Sequence, residues 1–396
     1  MWSWDLLFRV LKNTMDCRYF SEIKYSEFAR AINSGIPNER IPIAGTLELT
    51  YRCNLRCIHC YCNQNPDDKG RREKELSATT IFNILDDIAE RGCLMLLLTG
   101  GEPLLREDFF EIYIYAKKKG FLITFFTNAT LVTPRIADFL KEWPPSKVEV
   151  TLYGISKNIY EKTTGVVGSF EQCVSGIKNL INNNIPLSLK TMVSNLNQDE
   201  VIKIREFAQD LKADFRFDPL LHPRIDGSKA PCQYRITPQE AIKFELMNDA
   251  RLQGWKKFLE RSGDSEKLDS LYYCGAGRDS FSIDPFGKMS VCSSCLSPSY
   301  DIREHSFDEI WDNFFPRILK SGYNKDFKCR DCEIEIFCAN CPGYSMLENS
   351  NPETVVDYLC EIAHLRKEAF DKIYKGGLND QEKIFSTASE KSNFYR

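Results

Sequence analysis

The chain has 396 residues, 43% of them hydrophobic, enough for a substantial core spread over two or three domains. Its 52 basic and 56 acidic side chains leave a formal charge of only -4, which argues against nucleic acid or an anionic membrane as a partner. No stretch reaches 18 uninterrupted apolar residues and the first residues lack a signal-peptide pattern, so the sequence reads as cytoplasmic.

From about residue 46, short apolar runs alternate with longer stretches of helical period. The spacing predicts strands at TLELTY (46–51), LMLLLT (94–99), FLITFF (121–126), KVEVTL (147–152), PLSLKTM (186–192) and DFRFD (214–218). Between them, Ser77 is placed to cap a helix carrying Ile81, Ile84, Leu85 and Ile88 that Gly92 stops, and Thr133-Pro134 opens another. Six strands alternating with helices predict an α/β fold with a parallel sheet, either an open partial barrel or a doubly wound sheet. In both, active-site residues stand at the C-terminal strand ends. The segment beginning at Phe28 reads as a connecting helix and loop. Around 222–240 the chain turns rich in Pro, Gly and polar residues, a helical stretch is expected at 238–261, and the tail after Gly376 is polar and expected to be loose.

Sixteen cysteines in a long chain without an export signal favour metal over disulfides. Cys53, Cys57 and Cys60 follow the first strand with spacing Cys-x3-Cys-x2-Cys. Three thiolates from one loop can hold three corners of an iron–sulfur cube and leave its fourth iron open, whereas zinc would recruit His59 or Cys62 as a fourth ligand. After the second strand come Thr99, Gly100, Gly101, Glu102 and Pro103, in which the glycines admit close backbone approach and the carboxylate can accept from an ammonium group. Between 274 and 360 stand Cys274, Cys292, Cys295, Cys329, Cys332, Cys338, Cys341 and Cys360, two sets of four thiols, with a four-cysteine zinc ribbon at 329–341 as the competing reading. Cys17, Cys62, Cys93, Cys173 and Cys232 fit no motif, with Cys93 and Cys173 expected in the core. Apart from His59, beside Cys60, the histidines look scattered and form no nucleophilic or metal-binding arrangement.

The cysteine loop and the Gly-Gly-Glu-Pro run resemble the defining motifs of the radical S-adenosylmethionine (SAM) superfamily, and residues 274–360 resemble its SPASM domain. Together the resemblances cover roughly residues 46–362. They imply a partial (β/α)6 TIM-like barrel at 46–222 after an N-terminal extension (1–45), then a linker and helical region (223–273), a cysteine-rich SPASM domain (274–362) and a C-terminal helix with a loose tail (363–396). Carried over residue by residue, they give Cys53, Cys57 and Cys60 to a SAM-binding 4Fe–4S cluster, and Gly100, Gly101, Glu102 and Pro103 to the methionine amino group. Two auxiliary 4Fe–4S clusters then take Cys274, Cys292 and Cys341, with Cys295 to complete the set, and Cys329, Cys332, Cys338 and Cys360. The spacing Cys338-x2-Cys341 departs from the family's x3. Phe126–Ala129 and Val150–Gly154 are similar to later SAM contacts, with Ala129 in place of a Gly and Tyr153 in place of an Asp, which makes Thr151 and Lys190 candidates for the ribose and carboxylate of SAM.

The implied activity is reductive cleavage of SAM to a 5'-deoxyadenosyl radical that abstracts hydrogen from a substrate. A ribosomally made peptide undergoing modification is the expected substrate. The alternatives are a sugar or aminocyclitol dehydrogenase or epimerase, a zinc-binding interaction protein with a degenerate barrel, and an anaerobic sulfatase maturase, disfavoured because Ser293 stands where that branch carries an Asp. The implied partners are an electron donor such as flavodoxin or ferredoxin and a separate leader-peptide recognition protein. No catalytic acid or base is assigned.

Overall fold

Strands form where apolar and β-branched residues run together. In this computed structural model they are β1 (Ala44–Thr50), β2 (Met95–Gly100), β3 (Leu122–Thr127), β4 (Lys147–Thr151), β5 (Leu187–Met192) and β6 (Asp214–Asp218), each within two residues of its expected start and end. The structure describes residues 40–62, 67–247, 252–255, 271–272, 274–322, 324, 326–338 and 341–376. The expectations for residues 1–39, for Cys17, for most of 248–261 and for the tail beyond 376 lie outside the described residues.

Strands β1 to β6 pair in sequence order and in parallel, with Leu47 opposite Leu98 and Lys190 opposite both Thr151 and Arg216. Successive side chains of a strand face opposite ways. One set, including Leu47, Leu49, Leu96, Leu98, Ile123, Phe125, Val148, Val150 and Leu189, packs into the core. The other set, Thr46 and Glu48, Leu97 and Thr99, Phe126, Thr151, Lys190 and Arg216, lines a cavity. This is the partial barrel, apolar toward its helices and polar within.

The helices sit between consecutive strands. Helix α1 (Ala78–Glu90) starts where Ser77 Oγ accepts from Thr80 N–H at 3.1 Å and buries Ile81, Ile84, Leu85 and Ile88, and Gly92 follows it at φ +88°. Helix α2 (Phe109–Lys118) buries Phe109, Ile112, Tyr113 and Ala116, and α3 (Pro134–Glu142) begins at Thr133-Pro134. Then come α4 (Lys157–Thr164), α5 (Ser169–Asn182) and α6 (Val201–Asp210). Helix α7 (Pro238–Leu246) opens on a Thr237/Glu240 capping box inside the expected 238–261 stretch.

The C-terminal region adds strands to this sheet. β7 (Ser280–Ile283) runs parallel to β1 with Leu47 opposite Ile283, and β8 (Lys288–Ser290) and β9 (Tyr300–Asp301) continue antiparallel, giving a nine-stranded order β6-β5-β4-β3-β2-β1-β7-β8-β9. Phe281, Phe307 and Trp311 pack edge-on and stacked behind β7. Helix α8 (Pro342–Asn349) and helix α9 (Asp357–Gly376) complete the described chain. No helix among the described residues is long and apolar enough to cross a membrane.

Candidate active site

The loop after β1 carries the first three cysteines. Its backbone is held from outside the barrel: Arg56 N–H donates to Thr164 O at 2.8 Å and Ile58 N–H to Thr163 O at 3.0 Å, so the C-terminal carbonyls of α4 fix the loop's course. Cys53 and Cys57 are buried beside Leu55, Tyr153 and Val166, and Cys60 is partly exposed. Leu55 N–H reaches Cys53 Sγ at 3.4 Å, and Asn128 Nδ2 stands 3.7 Å from the same sulfur. Burial pushes the Cys53 thiol up to about 12 and Cys57 well above its usual range, so without a positive partner both remain protonated. An iron centre supplies that partner and takes the proton's place. The thiols therefore fit the group their spacing implies.

Two backbone bonds lace this loop to the end of β2: Gly101 N–H donates to Thr50 O at 2.7 Å and Glu102 N–H to Arg52 O at 2.9 Å. Gly100 sits at φ +126°, and a Cβ there would come within 2.2 Å of Thr50 O, while one at Gly101 would come within 2.2 Å of Arg52 O. Only glycine lets the two strand ends close this tightly. Arg52 in turn is bridged to Glu75 at 3.0 Å in a buried pair, and buried Arg106 donates to the Leu49 and Leu76 carbonyls, both at 2.9 Å.

The cavity enclosed at these strand ends measures about 330 Å³. It receives Cys53, Cys57, Cys60, Gly100, Gly101, Thr151 and Lys190, so most of the expected SAM-side residues converge on one space. Lys190 is half-buried with its ammonium 3.0 Å above the Phe126 ring centroid and makes no ion pair among the described residues; desolvation, then Arg216, hold its pKa well below the usual lysine range. An anionic group entering the cavity would supply the missing counter-charge.

Glu102 and Pro103 depart from expectation. The Glu102 carboxylate does not line the cavity. It is fully buried and accepts from Thr127 Oγ1 at 3.0 Å, Asn128 N–H at 2.8 Å and Leu104 N–H at 3.2 Å. Those donors satisfy it within the protein, so it ties β2 to β3. Pro103 begins the 3-10 turn at 103–105 and is buried behind that contact.

Three cavity residues escaped the sequence reading. Glu48, on β1, is buried, accepts from Tyr51 Oη at 3.0 Å and from Tyr61 Oη, and is raised to about 7 by burial. His222 lies just beyond β6, so the histidines are not uniformly scattered: His59 and His222 share this cavity. Arg216, opposite Lys190, donates to buried Glu149 from Nε at 2.9 Å. A charged residue inside an apolar strand pattern, as in TLELTY, was the available signal for Glu48; His222 had none in its local sequence.

The C-terminal thiols form two groups. Cys295 N–H donates to Cys292 O at 2.9 Å, and the Cys295 thiol, raised to about 11 by burial, has Cys341, Cys292 and Cys274 as electrostatic neighbours. Helix α8 starts so close to this turn that a Cβ on Gly343 would fall 2.3 Å from Ser294 O, which brings Cys341 to it. Cys329, Cys332, Cys338 and Cys360 instead line a separate small cavity of about 30 Å³ walled by Ile334, Val355, Val356, Leu359 and Ala363. The thiols ring cavities rather than meeting at a point: among the described residues no three His, Cys, Asp or Glu side chains stand close enough to hold a single metal ion. Cys62 Sγ lies 3.8 Å from Cys60 Sγ, and Cys93 and Cys173 are core residues as expected.

A partial parallel barrel with a buried three-cysteine loop at the end of its first strand, a glycine pair at the end of its second and a shared cavity between them defines a class of enzyme that works with an iron–sulfur cluster and a bound nucleoside cofactor. Residues 47–208 match the model of the radical SAM superfamily, so this barrel is that of a radical SAM enzyme, a class that uses SAM and a 4Fe–4S cluster. The chain is 29% identical over 314 residues to the AdoMet-dependent heme synthase of Methanosarcina barkeri, covering 74% of this chain and 89% of that one. It is 27% identical over 289 residues to the mycofactocin maturase MftC of Mycobacterium tuberculosis, covering 69% and 71%. The fold is similar to that of SuiB from Streptococcus suis, solved bound to its precursor peptide SuiA, with a TM-score of 0.64 at 16% identity over 90% of this chain and 87% of that one.

Proposed function

We propose that this enzyme modifies a ribosomally made peptide, and that Cys274, Cys292, Cys295 and Cys341 on one side and Cys329, Cys332, Cys338 and Cys360 on the other ligate two auxiliary 4Fe–4S clusters in a domain spanning 274–362. The observation that carries it is a shared wall: Ser293 and Ser294, in the turn between Cys292 and Cys295, line the same cavity as Cys53, Cys57 and Cys60. A substrate held there touches both ends of an electron path. The likeness to a mycofactocin maturase and to the fold of a precursor-peptide-binding enzyme supports a peptide as that substrate.

When bound at the open iron, SAM supplies a carbon-centred radical able to remove an unactivated hydrogen atom. The protein's own residues hold and screen the reactants. Cys53, Cys57 and Cys60 hold the cluster, the exposed backbone of Gly100 and Gly101 orients the amino group, Thr151 offers a hydroxyl to the ribose, and Lys190 meets the carboxylate. Leu97 and Phe126 give the cavity apolar walls that exclude water. The electron would come from a flavodoxin or ferredoxin, and recognition of a leader sequence from a separate protein.

The heme synthase relative gives a second reading, an iron tetrapyrrole substrate, since the likeness extends over most of both chains. Protein reconstituted without oxygen separates these claims. About twelve irons per chain, falling to about eight when Cys53, Cys57 and Cys60 are all changed to Ala, is the expected result, whereas about four irons and one zinc would remove the auxiliary clusters. A SAM-dependent change in mass or stereochemistry of a short peptide encoded beside the gene supports the peptide reading. A SAM-dependent loss of mass from an iron tetrapyrrole with none from the peptide selects the second.

A further inference from the structure

The main cavity also contains titratable groups with no task in the chemistry above, His222 among them. His222 stands between two aromatic rings, Tyr61 from the cysteine loop at 6.4 Å and Tyr344 from α8 at 4.9 Å between centroids. Its Nδ1 lies 2.7 Å from the carbonyl oxygen of Pro223. A carbonyl only accepts, so Nδ1 carries the hydrogen and the lone pair resides on Nε2. Among the described residues Nε2 has no hydrogen-bond partner, and the ring lines the cavity that also receives Cys60, Thr151, Lys190 and Ser293. The imidazole is thus oriented by one nitrogen and offers the other to whatever the cavity holds.

We propose that His222 is the proton acceptor for the substrate in this cavity. The step rests on the peptide reading for the identity of the substrate. Oxidative bond formation removes a hydrogen atom and then an electron from a substrate C–H. The hydrogen would go to the radical that SAM supplies at Cys53, Cys57 and Cys60, and the electron to an oxidised iron–sulfur cluster that the C-terminal cysteines would hold. The N–H, O–H or S–H bond of the attacking group then breaks, its heteroatom's electron pair forms the new bond to carbon, and the proton passes to Nε2 of His222. Two electrons and two hydrogens leave the substrate, and every one has a destination.

The surroundings keep this ring ready to accept. Burial lowers its pKa, outweighing the carbonyl of Pro223 and Asp218, which favour the charged form, while Arg235 opposes it weakly. Arg235 is itself held by Glu348 at 2.7 Å. His59 and Tyr61 face the ring from the cysteine loop and Tyr344 from α8, and none brings a negative charge at neutral pH. The surroundings therefore favour the neutral imidazole.

Diethyl pyrocarbonate acylates unprotonated imidazole nitrogen, and with four histidines in the chain each site can be followed by peptide mapping of the reconstituted holoenzyme. His222 should lose less of its labelling rate between pH 7.5 and pH 5.5 than N-acetylhistidine, which titrates near 6.5 and slows about tenfold. A His222 that stays unlabelled while His305 reacts, or that slows as the free compound does, overturns the assignment. His222→Gln keeps an acceptor of similar reach but no basicity. It should hold iron and bind peptide as the wild type does, still cleave SAM, and yield about a hundredfold less product per SAM cleaved, with partial recovery in His222→Glu. Unchanged product, or loss of peptide binding in step with product, counts against proton transfer. If the wild type alters no peptide, the substrate reading falls by itself and the labelling pattern decides the role of His222.

Discussion

Glu102 and Asn128 meet through a 2.8 Å hydrogen bond from the Asn128 backbone N–H to the Glu102 carboxylate, joining the ends of β2 and β3 beneath the cysteine loop. The same Asn128 reaches on through its side chain to Asn54 Oδ1 at 2.9 Å and to Cys53 Sγ at 3.7 Å. A chain of polar contacts therefore runs from a buried carboxylate to a thiol of the cysteine loop. Glu102→Ala should strip Thr127, Asn128 and Leu104 of their acceptor and cost about 2–4 kcal/mol. It should also lower iron retention after reconstitution, although Glu102 touches neither cavity nor ligand. Urea melts and iron content check this; unchanged iron with lost SAM binding would instead make Glu102 a direct ligand.

Glu48 sets a pH dependence of stability. Its folded pKa, about 7, lies above the 4.5 of an ordinary Glu, so the folded state binds the extra proton between those values. Stability from this group is full below about pH 4.5 and is lost as pH rises through 7, for a total of about 3 kcal/mol by the shift alone. Glu48→Gln should leave melting at pH 5 nearly unchanged and raise it at pH 8. Thermal melts of the two proteins across that range should cross or converge toward acid; parallel curves would show Glu48 ionised throughout.

Cys338 and Cys341 are three positions apart yet face different thiol groups, Cys338 the cavity with Cys329, Cys332 and Cys360, and Cys341 the turn at Cys292 and Cys295. On the proposed ligand sets, each single change to Ala should therefore perturb a different auxiliary cluster. Electron paramagnetic resonance of the reduced proteins should lose or shift one auxiliary signal in Cys338→Ala and the other in Cys341→Ala. Loss of the same signal in both would mean one shared four-cysteine site, as in a zinc ribbon.

Much of this was legible from the chain, and the reasons for the rest are physical. The barrel strands announced themselves either as apolar runs, as in LMLLLT and FLITFF, or by alternation of apolar and polar residues, as in KVEVTL and DFRFD, with helical stretches between them. The cysteine loop and the glycine pair were legible because their chemistry depends on spacing alone. Strand β7 was not, since SFSI is four residues long and its partner, β1, lies more than 200 residues earlier. The carboxylate of Glu102 was assigned an incoming ammonium because the donors that satisfy it, Thr127 and Asn128, belong to another strand. His222 lacked a motif altogether; what distinguishes it is the carbonyl of Pro223 behind it and the cavity in front.

Lys190 offers a test in which stability and binding should move in opposite directions. Its ammonium sits over Phe126 between Thr151 and Arg216, half-buried and without an ion pair among the described residues, so the ligand-free fold bears the cost of a partly desolvated cation. Lys190→Met retains the unbranched stem and its packing while removing the charge. The variant should melt higher by an amount equivalent to about 1–3 kcal/mol. It should also bind SAM about tenfold more weakly, since the carboxylate then enters a cavity whose remaining cation, Arg216, is already committed to Glu149. Calorimetric titration of SAM into the reconstituted variant measures the second effect and a thermal melt the first. If stability rises while SAM affinity holds, the lysine serves the substrate rather than SAM; if both fall, Lys190 is a structural cation whose partner is the Phe126 ring.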